Sequence, residues 1–284
     1  MDKAFPLRIY GLIGYPVKHS LSPLMHNAAF SALKINAEYK LFEVTPLDLE
    51  DLLRSVTKKN IYGFNITVPY KEMVMRFLHK VSREAKLIGA VNTVKVSRGK
   101  LEGFNTDGAG FFRHLTGSLK FNPKNKRIAV VGAGGASKAV TIYLAKARPK
   151  SIFIFDLDTP KADHLVRYLK DNFKVVDFQS IHKIEKLGIA DCDLLVNATP
   201  VGLKENDPPL IEPGFIHGNL LVYDLIYNPP QTKLIKIAKE KKVRASNGLG
   251  MLLYQGALSF ELWTHKKAPI PIMKAALEKG VENL

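Results

Sequence analysis

An apolar strand that runs directly into a glycine-rich turn constrains this chain more than any other feature. Residues 127–137 read Arg-Ile-Ala-Val-Val-Gly-Ala-Gly-Gly-Ala-Ser, and the apolar run predicts a strand buried on both faces, followed by a helix. Gly132 permits the tight bend, Gly134 lets the backbone approach a pyrophosphate, and the free N–H groups at the helix start favour its charge. The stretch therefore predicts a dinucleotide-binding turn, in a variant form because Ser137 stands where many such motifs have a third glycine.

The same glycines also suit an ordinary strand-to-helix turn, so the surrounding pattern decides between the two interpretations. Predicted strands alternate with helical segments through the second half of the chain, as in a doubly wound parallel sheet. These strands are predicted over residues 128–131, 151–156, 174–178, 193–197, 220–225 and 243–245. The alternation predicts a Rossmann-type domain over residues 111–248.

The first part of the chain predicts a second domain of a different kind. With 284 residues the chain is long enough for two domains. Residues 1–110 also alternate strands with helices but contain no glycine-rich phosphate turn. We therefore expect an α/β domain there that binds a substrate other than a nucleotide.

The charge pattern favours a small anionic ligand over a nucleic acid. The formal net charge is +16, but Lys and Arg are spread along the chain and interleaved with Asp and Glu, as on a solvated surface. A net positive potential would help to gather an anionic substrate and a dinucleotide. No nucleic-acid partner is expected.

Composition also predicts where the protein resides. No apolar run reaches the roughly 18 residues of a membrane span, and residues 1–14 lack the apolar core of a signal peptide. Cys192 is the only cysteine, which excludes an intramolecular disulfide and a cysteine-based metal cluster. We expect a cytoplasmic protein without a membrane partner.

Two serines form the first of three polar clusters in the first domain. Ser20 and Ser22 flank Leu21 at a predicted helix start, where their hydroxyls suit a carboxylate ligand. Pro23 suits the first helical position, so Ser22 also suits the N-cap of that helix. Both interpretations stay open from these residues alone.

The other two clusters bring a lysine and a carboxylate to predicted helix starts. A predicted strand presents Asn65 and Thr67 on one side and delivers Lys71 to the next helix, whose positive dipole end disfavours a lysine. Asn92 lies in a further segment, and Asp107 opens another helix, where a carboxylate is favoured. Lys71 is therefore a candidate for function, and Asp107 is a candidate for either function or helix capping.

These motifs are similar to those of the shikimate dehydrogenase family. The first domain contains Ser-Leu-Ser-Pro at 20–23, Asn-Ile-Thr-Val-Pro-Tyr-Lys at 65–71, Gly-Ala-Val-Asn-Thr at 89–93 and Gly-Phe-Asn-Thr-Asp-Gly at 103–108. The rest of the chain contains Gly-Ala-Gly-Gly-Ala at 132–136, Asn-Ala-Thr-Pro-Val-Gly at 197–202, a pattern of Asp224, Tyr227, Pro229 and Thr232, and Asn-Gly-Leu-Gly-Met-Leu at 247–252 followed by Gln255. The resemblance covers nearly the whole chain in the family's order.

The resemblance implies an oxidoreductase of aromatic amino-acid and chorismate biosynthesis. Such an enzyme transfers hydride reversibly between NAD(P)H and 3-dehydroshikimate to give shikimate. The resemblance also implies two α/β domains with the substrate in the cleft between them, and C-terminal helices within residues 249–284 that complete the first domain. Because a carbonyl reduction needs a proton donor, Lys71 is the catalytic candidate, with Asp107 hydrogen-bonding its ammonium and the substrate.

The resemblance also assigns the ligand-binding side chains. Those implied for the substrate are Ser20, Ser22, Thr67, Asn92, Tyr227 and Gln255. The residues predicted to bind the dinucleotide, from the glycine turn, the loop after the second strand of that domain and the resemblance together, are Gly132, Ala133, Gly134, Gly135, Ala136, Asp156, Asp158, Lys161, Thr199, Leu225 and Gly248. No metal is expected, since the chain lacks the His and Cys spacing of a zinc dehydrogenase.

The loop after the second strand of the dinucleotide domain departs from the family pattern. Members that use NADP usually carry Asn-Arg-Thr there, whereas residues 156–161 read Asp-Leu-Asp-Thr-Pro-Lys. Asp156 is placed to accept a hydrogen bond from a ribose 2′-hydroxyl. The carboxylates of Asp156 and Asp158 would together repel a 2′-phosphate. NAD is therefore predicted as the preferred cofactor, with Lys161 the basic group that would favour NADP.

Two alternative functions stay open from the sequence. An NAD-dependent quinate/shikimate dehydrogenase fits the missing arginine, although Ser20 and Thr67 resemble the shikimate-specific pattern. A non-catalytic dinucleotide-binding regulator is the alternative from another class, and the joint presence of Lys71 and Asp107 argues against it. The expected assembly is a monomer or a homodimer.

Overall fold

A computed structural model describes residues 6–282 of the chain. Their backbone divides into two compact units, one formed by residues 6–110 with 252–282 and the other by residues 111–251. The outer ends predicted for the first domain, residues 1–5 and 283–284, lie outside the described residues. Within the described residues, no helix is both long and apolar enough to cross a membrane.

Most of the α-helices lie between strands, and the last two follow the final strand. In chain order they are α1 (Ser22–Ala32), α2 (Leu49–Ser55), α3 (Arg83–Ile88), α4 (Asp107–Arg113), α5 (Gly135–Lys146), α6 (Thr159–Asn172), α7 (Lys233–Glu240), α8 (Leu249–Thr264) and α9 (Ile270–Glu282). The C-terminal helices implied within residues 249–284 are thus present as α8 and α9.

A mixed six-stranded sheet forms the centre of the first unit. Its strands are β1 (Arg8–Gly14), β2 (Ala37–Glu43), β3 (Ile61–Ile66), β4 (Lys80–Val81), β5 (Thr93–Ser97) and β6 (Lys100–Phe104). Their order is β2-β1-β3-β5-β6-β4, with β1 parallel to both neighbours and β5 antiparallel to both of its own. Buried apolar side chains of α2, β3 and β5 pack into one core cluster.

The C-terminal helices belong to this first unit, as the resemblance implies. Helix α9 packs against α1. Trp263 of α8 is buried, and its indole Nε1 donates a hydrogen bond to the carbonyl oxygen of Val94 at 3.0 Å. The late part of the chain therefore completes the core begun by the first 110 residues.

Six parallel strands form the sheet of the second unit. They are β7 (Arg127–Val131), β8 (Ser151–Phe155), β9 (Asp177–Ile181), β10 (Leu194–Asn197), β11 (Leu221–Asp224) and β12 (Arg244–Ser246). Their order, β12-β11-β10-β7-β8-β9, is that of a doubly wound dinucleotide fold, with the switch point between β7 and β10. The predicted fold class, two α/β domains of which one is Rossmann-type, is confirmed.

One strand of this sheet lies three residues later in the chain than predicted. The strand predicted over residues 174–178 is β9, Asp177–Ile181, because α6 continues to Asn172 and a turn follows it. Val175 is 71% exposed in this turn, whereas Val176 and Phe178 are buried. The short apolar run therefore did not predict where the strand begins and ends.

His26 is a buried titratable group in the first unit. Its ring lies on α1, stacks on Tyr39 at a centroid distance of 4.4 Å, and has both nitrogens without a hydrogen-bond partner among the described residues. Burial lowers the pKa of His26 from 6.5 to about 3. The imidazole is therefore neutral in the folded chain at any pH well above 3.

This burial makes stability depend on pH. Since the folded pKa lies below the unfolded one, the unfolded chain binds the extra proton as the pH falls below 6.5, and stability falls with it. We expect the wild type to lose about 2 kcal/mol more of its unfolding free energy than His26→Phe between pH 7 and pH 5, at about 1.4 kcal/mol per pH unit. Urea unfolding at both pH values measures this difference, with exposed His19→Gln as the control that behaves like the wild type. Equal pH dependence in His26→Phe and the wild type would contradict it.

Candidate active site

An ion pair between Lys71 and Asp107 is the centre of the candidate site in the first unit. The Nζ atom of Lys71 lies 2.6 Å from Oδ2 of Asp107, and the two side chains are 22% and 9% exposed. Asp107 is the first residue of α4, as predicted. Lys71 precedes a short 3₁₀ helix, Met73–Phe77, rather than an α-helix, and its carbonyl oxygen accepts from the amide of Val91 at 2.8 Å.

The second oxygen of the carboxylate is held by an asparagine. Asn92 donates through Nδ2 to Oδ1 of Asp107 at 2.7 Å, and the backbone N–H of Asp107 donates to Oδ1 of Asn105 at 3.1 Å. Both oxygens of Asp107 thus accept from side chains of the fold, Lys71 and Asn92, rather than from the first turn of α4. This favours the functional interpretation of Asp107 over simple capping.

The pair has the chemistry of a proton donor and acceptor. An ammonium group has three donors, so Lys71 can keep its bond to Asp107 and direct another proton at a ligand oxygen. Its partial exposure leaves the ammonium accessible. The arrangement can therefore protonate an oxygen and take the proton back.

Gln255, another predicted substrate residue, is hydrogen-bonded to this group. Its Oε1 lies 3.4 Å from Nδ2 of Asn92, and its own Nε2 donates to the carbonyl oxygen of Leu252 at 2.9 Å. The side chain is buried at 8% exposure on α8. The structure thus brings Lys71, Asp107, Asn92 and Gln255 into one hydrogen-bonded group.

The remaining predicted substrate residues belong to other elements and connections of the fold. Ser20 and Ser22 form their own pair, in which the amide of Ser22 donates to Oγ of Ser20 at 3.2 Å. Ser22 is the first residue of α1 and Leu21 occupies the cap position, so Ser22 is not the N-cap. Thr67 directly follows β3, where its amide donates to Ile13, and Tyr227 follows β11 in the second unit.

The glycine turn of the second unit has the form expected of a phosphate site. Gly132 has φ of +109°, and a Cβ there would lie 2.8 Å from the carbonyl oxygen of Ala198, so the position requires glycine. Gly134 occupies the cap position of α5, which begins at Gly135. A Cβ at either of these two would meet nothing within 4 Å, so the helix start is open to a ligand. The turn therefore fits a pyrophosphate.

The other predicted cofactor residues gather at the carboxyl ends of strands. Thr199 follows β10 and donates through Oγ1 to Oδ1 of Asn197 at 2.7 Å. Leu225 follows β11, and a Cβ on Gly248 would lie 2.0 Å from its carbonyl oxygen. This edge of an open parallel sheet, beside the switch point, is where such folds bind ligands.

The carboxylates after β8 are occupied within the loop itself. Asp156 accepts from the amide of Ala133 at 2.7 Å and from that of Asp158 at 2.9 Å. Asp158 caps α6 by accepting from the amide of Lys161, whose Nζ lies 3.1 Å from it. The hydrogen bond from Lys161 holds the pKa of Asp158 below its usual value and raises the pKa of Lys161 in turn.

Comparison with known proteins places this geometry in a family. Family models match as the shikimate dehydrogenase substrate binding domain over residues 12–94, shikimate / quinate 5-dehydrogenase over 116–202, and the shikimate 5′-dehydrogenase C-terminal domain over 248–278. A relative from Methanopyrus kandleri named shikimate dehydrogenase (NADP(+)) is 45% identical over 277 residues, which are 95% of this chain and 94% of the relative. The chain belongs to the shikimate dehydrogenase family.

Solved structures of the shikimate dehydrogenase family agree with the fold. One, a shikimate dehydrogenase in complex with NADP⁺, has a TM-score of 0.90 and 38% identity and covers 97% of this chain and 96% of its own. Another, from Listeria monocytogenes in complex with shikimate and NAD, has a TM-score of 0.87 and 36% identity, with 95% and 96% covered. The family prediction made from the motifs is confirmed.

The predicted preference for NAD gains no support from these shikimate dehydrogenases. The curated relatives are named for NADP(+), and the two solved structures contain NADP⁺ and NAD respectively. A physical reason lies in the loop, where both oxygens of Asp156 accept backbone N–H groups. The carboxylate ties the glycine turn to the loop, a role that does not itself select a cofactor.

Four buried polar residues of the first unit were not assigned to the site from the sequence, although Asn65 was placed in one of the polar clusters. They are Asn65, Thr93, Thr106 and Ser259, all less than 6% exposed. The available signal was a serine within the apolar helix α8 and hydroxyl residues beside two motif asparagines. Sequence alone does not show that these residues meet.

Proposed function

We propose that the chain is an NAD(P)-dependent oxidoreductase that reversibly reduces 3-dehydroshikimate to shikimate. The observation that carries the proposal is the Lys71–Asp107 pair, with Asp107 held on its second oxygen by Asn92. This pair can donate a proton to the substrate oxygen and take it back, as a reversible carbonyl reduction requires. Membership of the shikimate dehydrogenase family supplies the substrate class.

The proposed mechanism assigns the proton to Lys71. A bound nicotinamide dinucleotide supplies and accepts hydride. During reduction the Lys71 ammonium donates a proton to the substrate oxygen, and during oxidation the amine takes it back from the hydroxyl. Asp107 keeps the ammonium in place through its 2.6 Å contact and accepts from a substrate hydroxyl. Asn92 keeps the carboxylate oriented.

Substrate and cofactor binding are proposed for the residues implied by the motifs. Hydroxyls of Ser20 and Ser22 take the substrate carboxylate, and the other contacts come from Thr67, Asn92, Tyr227 and Gln255. Within the turn from Gly132 to Ala136, the amides at the start of α5 take the pyrophosphate, because an added Cβ at Gly134 or Gly135 meets nothing there. Thr199, Leu225 and Gly248 line the strand ends beside it.

We propose NADP as the better cofactor, following the names of the relatives. Lys161 is the cation available in the loop after β8, and it pairs with Asp158 at 3.1 Å. Its ammonium must leave this carboxylate, or be shared with it, to reach a 2′-phosphate. Asp158 and the 2′-phosphate would therefore compete for the Lys161 ammonium.

Changing this loop should shift the cofactor ratio. In Leu157→Arg/Asp158→Asn, the asparagine keeps the helix cap and releases Lys161, while the arginine replaces a side chain that is 89% exposed. We expect kcat/KM for NADP over that for NAD to rise by about 10- to 100-fold, the range of one or two charge-assisted bonds. Leu157→Gln is the uncharged control, and salt is held fixed because exposed charges are screened. An unchanged ratio would show that this loop does not contact the 2′ position.

A dinucleotide-reduction assay with shikimate and quinate, each with NAD and NADP, tests the proposed function. Reduction with shikimate as the better substrate supports it. Equal kcat/KM for quinate would favour the quinate/shikimate alternative, to which one of the matched family models also refers. No turnover, with dinucleotide binding intact, would favour the non-catalytic regulator. A cytoplasmic monomer or homodimer stays a prediction of the sequence.

A further inference from the structure

A compact group of buried hydroxyls lies behind the catalytic pair. Oγ1 of Thr93 lies 2.8 Å from Oγ of Ser259 and 3.2 Å from Oγ1 of Thr106, and the two latter oxygens are 3.3 Å apart. Thr93 and Ser259 are fully buried. We name Thr93, Thr106 and Ser259 the hydroxyl triangle. It joins β5, the segment before α4, and α8, which are distant in sequence.

Two asparagines connect the triangle to its surroundings in fixed orientations. Asn65 donates through Nδ2 to Oγ1 of Thr93 and Oγ of Ser259, both at 3.0 Å, while its Oδ1 accepts from the hydroxyl of Tyr39 at 2.8 Å. Because Nδ2 also donates to the carbonyl oxygen of Asn92 at 3.1 Å, its amide cannot be reversed without loss. Asn65 thus anchors the triangle to Tyr39 and to the backbone of Asn92.

Asn92 is the connection between the triangle and the catalytic pair. Its Oδ1 accepts from the amide of Thr106 at 2.7 Å and from Oγ1 of Thr93 at 3.0 Å, which leaves Nδ2 facing Asp107 at 2.7 Å. If Oδ1 lost these donors, the amide could rotate and present its oxygen to the carboxylate. The hydroxyl of Thr93 therefore helps to decide which atom of Asn92 meets Asp107.

Stability alone does not explain this group. Apolar side chains of similar volume would fill the same core at similar or lower free energy, because buried polar groups must first give up their water. A fully hydrogen-bonded network instead fixes one arrangement of its members. Ser259 has a single hydroxyl hydrogen, for which Oγ1 of Thr93 at 2.8 Å and the carbonyl oxygen of Gln255 at 3.0 Å are alternative acceptors; donation to Thr93 leaves the hydrogen of Thr93 for Oδ1 of Asn92.

We propose that Thr93 and Ser259 are positioning residues, which act through Asn92 to hold Asp107 against Lys71. This inference rests on the proposed function, since it assigns a role within that reaction. Neither residue is assigned to contact the substrate or the cofactor. The hydroxyl of Thr93 has the central place, because Asn65, Asn92, Thr106 and Ser259 all lie within hydrogen-bonding distance of it.

The decisive experiment separates the hydroxyl of Thr93 from its methyl group. Thr93→Val keeps the shape and removes the hydroxyl, and we expect kcat for shikimate oxidation to fall about tenfold, since small misplacements of catalytic groups are costly. KM for the dinucleotide should stay within about twofold, because no residue assigned to the cofactor is changed or reoriented. Thr93→Ser keeps the hydroxyl and should retain kcat within about twofold even if its melting temperature falls.

Each outcome decides the inference. A folded Thr93→Val with wild-type kcat overturns it, and so does a Thr93→Ser variant that loses as much kcat as Thr93→Val, because packing would then explain the effect. If Thr93→Val does not fold, Ser259→Ala replaces it, and a wild-type kcat in that variant also overturns the inference. A wild type that does not oxidise shikimate would overturn the proposed function as well, whereas an active wild type limits any failure to the positioning role.

Discussion

Lys71→Ala should lower kcat for shikimate oxidation by about 10²- to 10⁴-fold, the usual contribution of a proton-transfer group. The fold should persist, since Asp107 keeps its bond from Asn92 and the Lys71 side chain is 22% exposed. The effect should fall mainly on kcat, because Lys71 acts on the oxygen whose charge changes during the reaction. Steady-state kinetics with circular dichroism of the variant measures both quantities.

Lys71→Arg separates the charge of this residue from its proton. Arginine keeps a cation beside Asp107 but does not release a proton near neutral pH, so kcat should also fall by at least about 10²-fold. Lys86→Ala, which removes an exposed lysine of α3 in the same unit, is the matched control and should retain wild-type kcat. Near wild-type activity in Lys71→Ala would remove Lys71 from the mechanism, and near wild-type activity in Lys71→Arg would reduce its role to electrostatics.

Asp107→Asn should be the second most damaging change, with kcat lowered by about 10²- to 10³-fold, as for other groups that orient an acid–base partner. Both oxygens of the carboxylate accept hydrogen bonds, from Lys71 at 2.6 Å and from Asn92 at 2.7 Å. An amide offers one oxygen and one NH₂ group, so a donor must face a donor on one side. In the variant, either the Lys71 ammonium or Nδ2 of Asn92 therefore loses its hydrogen bond to residue 107.

The double variant Lys71→Ala/Asp107→Asn tests whether the two residues act as one unit. If Asp107 works through Lys71, the double variant should be about as active as Lys71→Ala alone, because groups that act together are not additive. Asp51→Asn, an exposed aspartate on α2, is the matched control for the substitution. Fully multiplicative losses would show that Asp107 has a role independent of Lys71.

The sequence alone determined those parts of the protein whose signals are local. The buried strand β7, the tight turn at Gly132 and the start of α5 follow from steric and hydrogen-bonding requirements of neighbouring residues. Asp107 at the start of α4 followed from the preference of a carboxylate for that helix end. The order of the motifs was sufficient to predict the family.

Only the tertiary structure decided which side chains meet. The site forms because β3 and β5 are neighbours in one sheet, with Lys71 after β3 and Asn92 just before β5, and because α4 begins beside them with Asp107. Ser259 comes from α8, 166 residues beyond Thr93, to which it is hydrogen-bonded. Such contacts depend on strand register and helix packing, which a residue's neighbours in sequence do not specify.

The loop after β8 shows the same distinction within a short segment. Its two aspartates predicted a preference for NAD when considered as free carboxylates, but Asp156 is bound to the amide of Ala133, 23 residues earlier, and Asp158 is bound to Lys161. A carboxylate that already accepts hydrogen bonds from its own fold has less capacity left for a ligand. The sequence determined which charges the loop contains, and the tertiary structure decided where their hydrogen bonds go.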